Sequence, residues 1–455
     1  MEKFENYNQC IKFLFGLERA GVKYNLKNIS SLLSSLGNPE KKFKSIHIAG
    51  TNGKGSVSCA VNSILIEKGF STGLYTSPHI KDFRERILVN GKFISKNFIL
   101  NFVNKMYSEI IKTGPSFFEI TTAMAFEYFR FKKTDYAVIE TGLGGRLDAT
   151  NVVIPVVSAI TTISIDHTEF LGKSIEDISA EKAGIIKKNI PVVIGNVTEV
   201  SKKIFNKFSK EKNSEIKYSE DHYKVNILKS AETGFTFDVK SKFRNYRKLF
   251  IPVAGRYQTY NIRTCITILD TLCEKENIKI NEKEIRAGYK NLKVNSKFFG
   301  RFELISKNPK IVIDVSHNLQ GIENIKENLK NFKYKDIIII FGMMNDKQYK
   351  ESISELFKLN AKYLIFTKPK YKRSADPQDL LDSVPHKKSG FVTRKNVKEA
   401  NEFYKTVYSK DDILLVTGSF FLVSDFLKLN DYKNIFSHDN FLRKKSAEIL
   451  RGGQH

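Results

Sequence analysis

The hydrophobic pattern that organises the chain begins near residue 43. An apolar strand containing Ile46 and Ile48 leads into a glycine-rich segment, Gly50 to Gly55. Apolar residues then recur at helical spacing and stop before Gly69, and a second apolar strand is predicted at residues 72–75. The sequence therefore predicts strand, loop, amphipathic helix and strand. The apolar face of the helix contains Val57, Ala60, Val61, Ile64 and Leu65.

Strands and helices also alternate in the last third of the chain. Strands are predicted at 311–315, 336–342, 363–368 and 412–418, with helices at about 320–331, 346–359, 397–408 and 420–428. Repeated strands with crossover helices indicate a parallel sheet. We therefore predict an α/β protein: a P-loop ATPase domain with a mostly parallel sheet and a smaller Rossmann-like α/β C-terminal domain. A polar stretch at 290–300 marks the boundary, which gives domains at 1–293 and 294–437 and a basic tail at 438–455.

Local patterns complete the predicted N-terminal domain. Residues 4–37 are predicted to be helical with a break at 13–21. A helix at 116–131 begins with Ser116 and Glu119, the S-x-x-E pattern of a capping box. Residues 198–250 are predicted to form a helix and a β-hairpin.

The segment GTNGKGS has the chemistry of a phosphate-binding loop. Its glycines let backbone N–H groups turn inward, and these groups, together with the helix N-terminus, favour a polyphosphate. Lys54 can reach the β and γ phosphates, and the Ser56 hydroxyl is placed to bind Mg²⁺. A glycine separates these two residues, unlike the common G-x-x-x-x-G-K-[ST] spacing. A tight turn capped by Ser56 is the structural alternative, but Lys54 and Ser56 together favour a nucleotide.

The composition argues against a membrane protein, a secreted protein and a nucleic-acid-binding protein. The chain has 455 residues, 41% of them apolar, but no apolar run long enough for a membrane span and no secretory signal at its start. Its four cysteines lack metal spacing, which indicates reduced thiols and a cytoplasmic location. The net charge of +26 would suit a nucleic-acid binder. The lysines are spread from end to end, however, so we expect a basic surface that attracts anionic substrates and binds neither nucleic acid nor membrane.

Later segments place polar side chains at the ends of predicted strands. Glu140 follows a buried strand at 136–139, where a carboxylate needs a metal or a positive partner, and the glycine loop GLGGRLDATN comes next. The alternative there is a structural loop with an Arg146–Asp148 pair. Another strand is predicted to end at Ile165, with His167 just beyond it. Because ligands of open α/β sheets bind at the carboxyl ends of the strands, these segments predict one site.

These motifs resemble a known family. GTNGKGS resembles the loop of the ATP-dependent amide ligases of the Mur ligase superfamily, and TSPH, GLGGRLDATN, IDHTEFLG, EKAG and FGMMNDKQ narrow the resemblance to folylpolyglutamate synthase / dihydrofolate synthase. The resemblance covers about residues 10 to 430. One departure is that Ile262 and Arg263 replace small residues after Asn261, and another is that Gln348 ends the last motif. The resemblance implies a ligase that joins L-glutamate to dihydropteroate or to the glutamyl tail of a folate, with ATP as co-substrate and Mg²⁺, two ions, as cofactor.

The resemblance also implies roles for the matching residues. ATP binding is implied for Asn52, Gly53, Lys54, Gly55, Ser56, Asn261, Arg301 and Asp314. Metal binding is implied for Ser56, Ser77, Glu140 and His167. Contact with the pterin-bearing substrate is implied for Phe118, Glu119, Asp148, Ala149 and Thr150, with helix capping as the alternative for Glu119. Catalytic roles are implied for Lys54, Lys182 and His317.

Lys182 is the residue whose interpretation depends most on the resemblance. The family's lysine at this position is carbamylated, which needs a neutral amine and hence a lysine of depressed pKa. Without the resemblance, Lys182 would be predicted to lie on the surface of a helix.

Several alternatives remain open at this point. The enzyme could carry only the polyglutamate-extending activity. A peptidoglycan ligase of the same superfamily is disfavoured, because only 49 residues precede Gly50 and leave no room for a separate UDP-binding domain. A nucleic-acid-binding ATPase gives no role to GLGGRLDATN, and a non-catalytic scaffold would not need Lys54, Ser56, Glu140 and His167. We expect a monomer.

Overall fold

The chain folds into two compact units, Met1–Ser296 and Lys297–His455. The structure, a computed structural model, describes residues 4–17, 25–241, 244–347 and 349–430. The units divide within the polar stretch at 290–300. The predicted tail at 438–455 and Gln348 lie outside the described residues. In the described ranges, none of the helices has the length and apolar character needed to cross a bilayer.

The first unit combines helices with a large sheet and a small sheet. Its elements are α1 (Tyr7–Leu17), α2 (Lys27–Ser35), β1 (Lys44–Ala49), α3 (Lys54–Glu67), β2 (Thr72–Tyr75), β3 (Ile87–Val89), β4 (Lys92–Phe93), α4 (Lys96–Thr113), α5 (Phe117–Phe131), β5 (Tyr136–Glu140), β6 (Val157–Thr162), α6 (Thr168–Leu171), α7 (Ile175–Ala183), β7 (Val192–Asn196), α8 (Glu199–Glu211), β8 (Ile216–Tyr218), α9 (Ser219–His222), β9 (Lys224–Ala231), β10 (Gly234–Lys240), β11 (Asn245–Ile251), α10 (Gln258–Glu276), α11 (Glu282–Lys290) and α12 (Leu292–Ser296).

The large sheet confirms the predicted mostly parallel architecture. Its strand order is β4-β3-β2-β5-β1-β6-β7-β8, and only the pairs made by β3 are antiparallel. β1 lies between β5 and β6, and the register places Ile48 beside Glu140. The carboxyl ends of these three strands therefore meet at one edge, where ligands of such sheets bind. Alternation along β1 puts Ile46 and Ile48 on one face and His47 on the other.

The helix after the phosphate loop, α3, is confirmed, but its polar side is not exposed as the amphipathic pattern indicates. Asn62 and Ser63 are as buried as the apolar residues. Ser63 Oγ donates to the carbonyl oxygen of Gly288 at 2.7 Å, and Asn62 Nδ2 donates to Ser296 Oγ at 2.9 Å. The end of the first unit thus covers the polar side chains of α3.

Three local predictions for this unit differ from the structure in extent. Residues 13–17 of the break predicted at 13–21 are helical, because α1 continues to Leu17, and residues 18–21 lie outside the described residues. The strand expected to end at Ile165 ends at Thr162, so a short loop separates β6 from His167. The β-hairpin predicted within 198–250 is present as β9–β10, and β11 extends it to a three-stranded antiparallel sheet. The capping box of Ser116 and Glu119 is confirmed.

The second unit is the predicted α/β domain with three elements that the pattern missed. The unit contains β12 (Glu303–Lys307), β13 (Lys310–Asp314), α13 (Leu319–Leu329), β14 (Ile337–Phe341), α14 (Tyr349–Phe357), β15 (Tyr363–Thr367), α15 (Pro377–Asp382), β16 (Phe391–Arg394), α16 (Val397–Val407), β17 (Ile413–Thr417) and α17 (Phe420–Leu429). The missed elements are β12, β16 and α15. The sheet order is β12-β13-β17-β14-β15-β16, parallel except for the β12–β13 pair.

Candidate active site

The loop between β1 and α3 approaches its neighbours so closely that two of its glycines are required. A Cβ atom on Gly50 would lie 1.9 Å from Thr161 Oγ1, and one on Gly53 would lie 2.4 Å from Asn261 Oδ1. Gly53 also has a φ of 85°, in the left-handed region that favours glycine. The structure therefore brings Asn261, predicted from the sequence to bind ATP, to the phosphate loop.

The end of β6 holds the loop in place. The Thr51 amide donates to the Thr162 carbonyl at 2.7 Å, and the Asn52 amide donates to Thr162 Oγ1 at 3.1 Å. Thr161 Oγ1 donates to the Asn52 carbonyl at 2.6 Å. The sequence analysis missed both Thr161 and Thr162, because threonine is common in strands for other reasons. The sequence signal that could have identified them is a pair of hydroxyl residues at the end of the strand that precedes Asp166 and His167.

Two lysine side chains converge on the phosphate loop. Lys54 Nζ donates to the carbonyl oxygens of Gly50 at 3.0 Å and Thr51 at 3.2 Å. Lys182 Nζ donates to the same Gly50 oxygen at 3.0 Å. Lys182 is buried, contrary to the surface position expected without the resemblance. Burial, with the nearby Lys54 charge, lowers the pKa of Lys182 to about 7, so a large fraction of its amine is neutral near neutral pH.

A buried carboxylate faces the same loop. Glu140 ends β5 and is 4% exposed. A Cβ atom on Gly55 would lie 3.6 Å from Glu140 Oε2, which places the carboxylate against the first turn of α3. The Ser77 amide donates to Glu140 Oε2 at 3.1 Å. Ser56, Ser77 and Glu140, all predicted to bind metal, therefore belong to one edge of the sheet.

The donor chemistry at this edge fits a magnesium ion. Mg²⁺ prefers oxygen ligands, and Glu140 and Ser56 offer a carboxylate and a hydroxyl beside a phosphate-binding loop. A buried carboxylate is costly without a positive partner, which a cation would supply. Ser56 and Glu140 supply the oxygen ligands that suit the ion, and the hydrogen bond from the Ser77 amide to Glu140 holds Ser77 beside them.

His167 lies beyond the end of β6 in a strained conformation. Its φ is 51°, in the left-handed region that residues other than glycine adopt uncommonly. Its amide donates to Asp166 Oδ1 at 2.8 Å, and its Nε2 lies 3.8 Å from Asp166 Oδ2. Asp166 thus fixes the backbone that presents the imidazole. Its predicted role as a metal ligand stays a prediction.

The residues predicted to contact the pterin-bearing substrate form a second group beside the sheet. The Phe118 ring rests on Gly142, where a Cβ atom would lie 2.5 Å from Phe118 Cζ, and its centroid is 5.8 Å from that of Tyr75. Glu119 Oε2 accepts from the Ser116 amide at 2.7 Å, so one oxygen of Glu119 caps α5. Among the described residues, nothing hydrogen-bonds to its buried Oε1.

The remaining predicted substrate residues lie in the loop after β5. Asp148 caps a short 3₁₀ turn that begins with Ala149 and contains Thr150, all three buried. Asp148 Oδ2 accepts from the Leu143 amide at 2.8 Å, which closes the glycine loop on itself. Burial raises the pKa of Asp148 against these hydrogen bonds. The alternative Arg146–Asp148 pair is wrong.

Arg146 instead joins this loop to α7. Its side chain pairs with Glu181 at 2.7 Å, and its amide donates to the Glu181 carbonyl at 2.8 Å. Gly145 and Gly184 allow the two segments to touch, since a Cβ atom on Gly145 would lie 2.8 Å from the Glu181 carbonyl oxygen. The loop that carries Asp148 is therefore fixed to the helix that carries Lys182.

The other predicted residues belong to the second unit. Asp314 ends β13 and accepts from the amides of Phe302 at 2.8 Å and Ser316 at 2.9 Å. Burial raises its pKa. Arg301 lies over the Phe420 ring, with its Cζ 5.0 Å from the centroid, and His317 Nδ1 donates to the Val315 carbonyl at 3.1 Å. Within this unit, Arg301 and His317 thus share Phe420 as a neighbour.

Comparisons with known families match both units. The profile of the Mur ligase middle domain matches residues 48–269. The profile of the Mur ligase glutamate ligase domain matches residues 300–420.

Similar proteins match most of the chain. The dihydrofolate synthase/folylpolyglutamate synthase of Bacillus subtilis (strain 168) is 33% identical over 437 residues, 93% of this chain and 99% of that protein. The folylpolyglutamate synthase of Lacticaseibacillus casei is 34% identical over 352 residues, 76% of this chain and 81% of that protein. The structure of Mycobacterium tuberculosis folylpolyglutamate synthase complexed with ADP has a TM-score of 0.84, with 26% identity over 93% of this chain and 98% of that chain.

Proposed function

Since the chain belongs to the dihydrofolate synthase/folylpolyglutamate synthase family of Mur ligases, we propose that it adds L-glutamate to dihydropteroate and to the γ-glutamyl tail of tetrahydrofolate. It is an ATP-dependent ligase of the acid–amino-acid type. The observation that carries the proposal is the meeting of Lys54, Lys182 and Glu140 at one phosphate-binding loop. That arrangement suits transfer of a phosphoryl group, which ligation needs because a carboxylate and an amine do not condense unaided in water.

The reaction proceeds through an acyl phosphate. An oxygen of the substrate carboxylate attacks the γ-phosphorus of ATP, and ADP leaves. The amine of L-glutamate then attacks the acyl carbon, loses its proton and expels inorganic phosphate. The Lys54 ammonium and the N–H groups at the N-terminus of α3 bind the transferring group and stabilise its developing negative charge.

Other residues hold the reactants in place. Phe118 and the loop that contains Asp148 would orient the pterin-bearing substrate, and Asn261 would contact ATP beside Gly53. We assign Mg²⁺ to Ser56, Ser77, Glu140 and His167, and a bound ion would supply further positive charge for the phosphates. Arg301, Asp314 and His317 are assigned to ATP binding and catalysis from the second unit.

The state of Lys182 is part of the proposal. Its buried amine, with a pKa of about 7, can react with carbon dioxide, and the resulting carbamate would be an anion beside the phosphate loop. We propose this modification because the resemblance implies it and the low pKa supports it.

The deciding experiment measures phosphate release from MgATP and L-glutamate, with dihydropteroate and tetrahydrofolate supplied separately. Turnover with both substrates is expected. Turnover with tetrahydrofolate alone would establish the second candidate, a monofunctional folylpolyglutamate synthase, which the similarity to the Lacticaseibacillus casei enzyme favours. Turnover with neither, by a protein that still binds ATP, would overturn the folate assignment.

We further propose that the enzyme acts as a cytoplasmic monomer and binds neither nucleic acid nor membrane. Light scattering should give the mass of one chain, 52.2 kDa. Filter binding should retain no duplex DNA at low salt. Retention that falls steeply as the salt concentration rises is what a nucleic-acid binder would give, and it would contradict the proposal.

A further inference from the structure

A histidine lies buried in the middle of the central strand β1. His47 is fully buried, on the face of the sheet opposite to Ile46 and Ile48. Its Nε2 lies 2.8 Å from Thr150 Oγ1, in the loop after β5. None of the described residues hydrogen-bonds to its Nδ1. Burying a polar ring costs free energy unless the ring is hydrogen-bonded, so the bond to Thr150 is needed to offset the burial of His47.

The hydrogen bonds define where the protons are. Thr150 Oγ1 donates its single hydrogen to Asp148 Oδ1. The same oxygen can therefore only accept from His47, so the imidazole carries its proton on Nε2 and leaves Nδ1 bare. Burial, with the charge of Lys187, lowers the pKa of His47 to about 3, so the ring is neutral around neutral pH. The result is a one-directional relay from His47 through Thr150 to Asp148.

The far end of the relay shapes the substrate loop. Asp148 Oδ1 also accepts from the Thr150 amide at 3.0 Å, while its Oδ2 accepts from the Leu143 amide at 2.8 Å. Asp148 thus fixes the backbone that follows Gly142, and Gly142 is the surface on which the Phe118 ring rests. The phosphate loop is held by a different set of bonds, which come from the end of β6 and from the side chains of Lys54 and Lys182.

We propose that His47 is a positioning residue for the pteroate or folate substrate, which acts through Thr150 and Asp148 and does not touch the substrate. It holds the Thr150 hydroxyl toward Asp148 and so keeps residues 142–150 in the conformation that supports Phe118. This inference rests on the proposed function. It assigns His47 to the pterin-bearing substrate and not to ATP, although β1 leads directly into the phosphate loop.

The test compares His47→Leu with His47→Gln. Leucine fills the space but donates nothing, whereas the glutamine amide can donate at the position of Nε2. We expect KM for dihydropteroate and tetrahydrofolate to rise about tenfold in His47→Leu, with KM for ATP changed less than about twofold, and most of the loss to be rescued in His47→Gln. Thr150→Val should raise the same KM, and the double variant His47→Leu/Thr150→Val should be no worse than the worse single variant.

A second measurement does not need turnover. Two-bond ¹H–¹⁵N correlation spectra of the wild-type protein should show His47 as the neutral Nε2–H form between about pH 5 and about pH 8. A charged ring, or a proton on Nδ1, would overturn the inference even if His47→Leu does not fold. Additive effects on KM, or equal increases for ATP and folate, would also overturn it. If wild-type enzyme turned over neither pterin substrate, the proposed function would fail while the spectra still decided the relay.

Discussion

The side-chain amines of Lys54 and Lys182 meet on a single acceptor, the carbonyl oxygen of Gly50, each at 3.0 Å. Two ammonium groups this close repel each other, and the more deeply buried amine bears the greater cost of its charge. Lys182 is 3% exposed, whereas Lys54 is only partly buried at the start of α3. The two lysines therefore have different tasks: Lys54 supplies a cation for phosphate, and Lys182 supplies an amine that can become neutral.

Removing the Lys54 cation should impair phosphoryl transfer. We expect Lys54→Met to lower kcat by about 10²- to 10³-fold, because one preorganised charge on the transferring group is lost. The measurement is phosphate release at saturating ATP. Lys12→Met, at an exposed position of α1, is the matched control and should behave as wild type. A loss of less than about tenfold in Lys54→Met would contradict this role.

The close approach of Gly53 to Asn261 predicts a specific loss of ATP binding. Gly53→Ala places a methyl group 2.4 Å from Asn261 Oδ1, so the loop or the amide must move, and we expect the Kd for ATP to rise at least about tenfold. Gly69→Ala is the control, because Gly69 also has a positive φ, +97°, but open space around it. Gly69→Ala should lose about 1–2 kcal/mol of stability and keep its affinity for ATP, as titration calorimetry can show. Equal losses of affinity would indicate backbone strain alone.

Glu140 should set the requirement for magnesium. Glu140→Gln keeps an oxygen for the Ser77 amide but removes the charge, so the Mg²⁺ concentration for half-maximal activity should rise at least about tenfold. Glu127→Gln is the control, a buried carboxylate on α5 that is paired with Arg130 at 2.6 Å. Its magnesium dependence should match wild type. An unchanged magnesium curve for Glu140→Gln would remove Glu140 from the metal site.

The depressed pKa of Lys182 predicts a slope of stability with pH. Its pKa is about 7 in the folded chain and 10.5 for the free side chain, so between these values the unfolded chain binds more protons. This group therefore makes the free energy of unfolding rise with pH from about 7 to about 10.5. Lys182→Met should show a smaller rise than wild type between about pH 7 and about pH 9 in urea unfolding.

That experiment needs carbon-dioxide-free buffer, because carbamylation would remove the titrating amine. Lys12→Met should keep the wild-type slope. Equal slopes in wild type and Lys182→Met would show that the amine is not buried as described.

Local patterns predicted the strands β1, β2, β5 and β6 of the first sheet, because each is a short apolar run with its own signal, whereas β3, β4 and β8 were not predicted. Ser116 and Glu119 cap α5 as their spacing indicates. The burial of Asn62 and Ser63 on α3 was not predicted, because the residues that cover them come more than two hundred positions later. The edge strand β12 was missed because only its pairing with β13 makes its polar sequence a strand.

The residues of the candidate site also differ in whether the sequence near them contains a signal. Glu140 and Lys54 could be found because their residue types are unusual at a strand end and in a glycine loop. The burial of Lys182 could not be found, because a lysine on a helix gives no sign that another segment will cover it. His47 did leave a signal, a lone histidine in an apolar strand, but the proton direction that gives it a role depends on Thr150.

The packing of α12 on α3 has a consequence for biosynthesis. Ser296 Oγ donates to the carbonyl of Cys59 at 2.7 Å across 237 residues of sequence. During synthesis, the part of α3 that α12 covers in the folded unit therefore stays exposed to solvent until α12 has been made. The packing around α3 can therefore be completed only after nearly three hundred residues have been synthesised, although the phosphate loop itself is made within the first sixty.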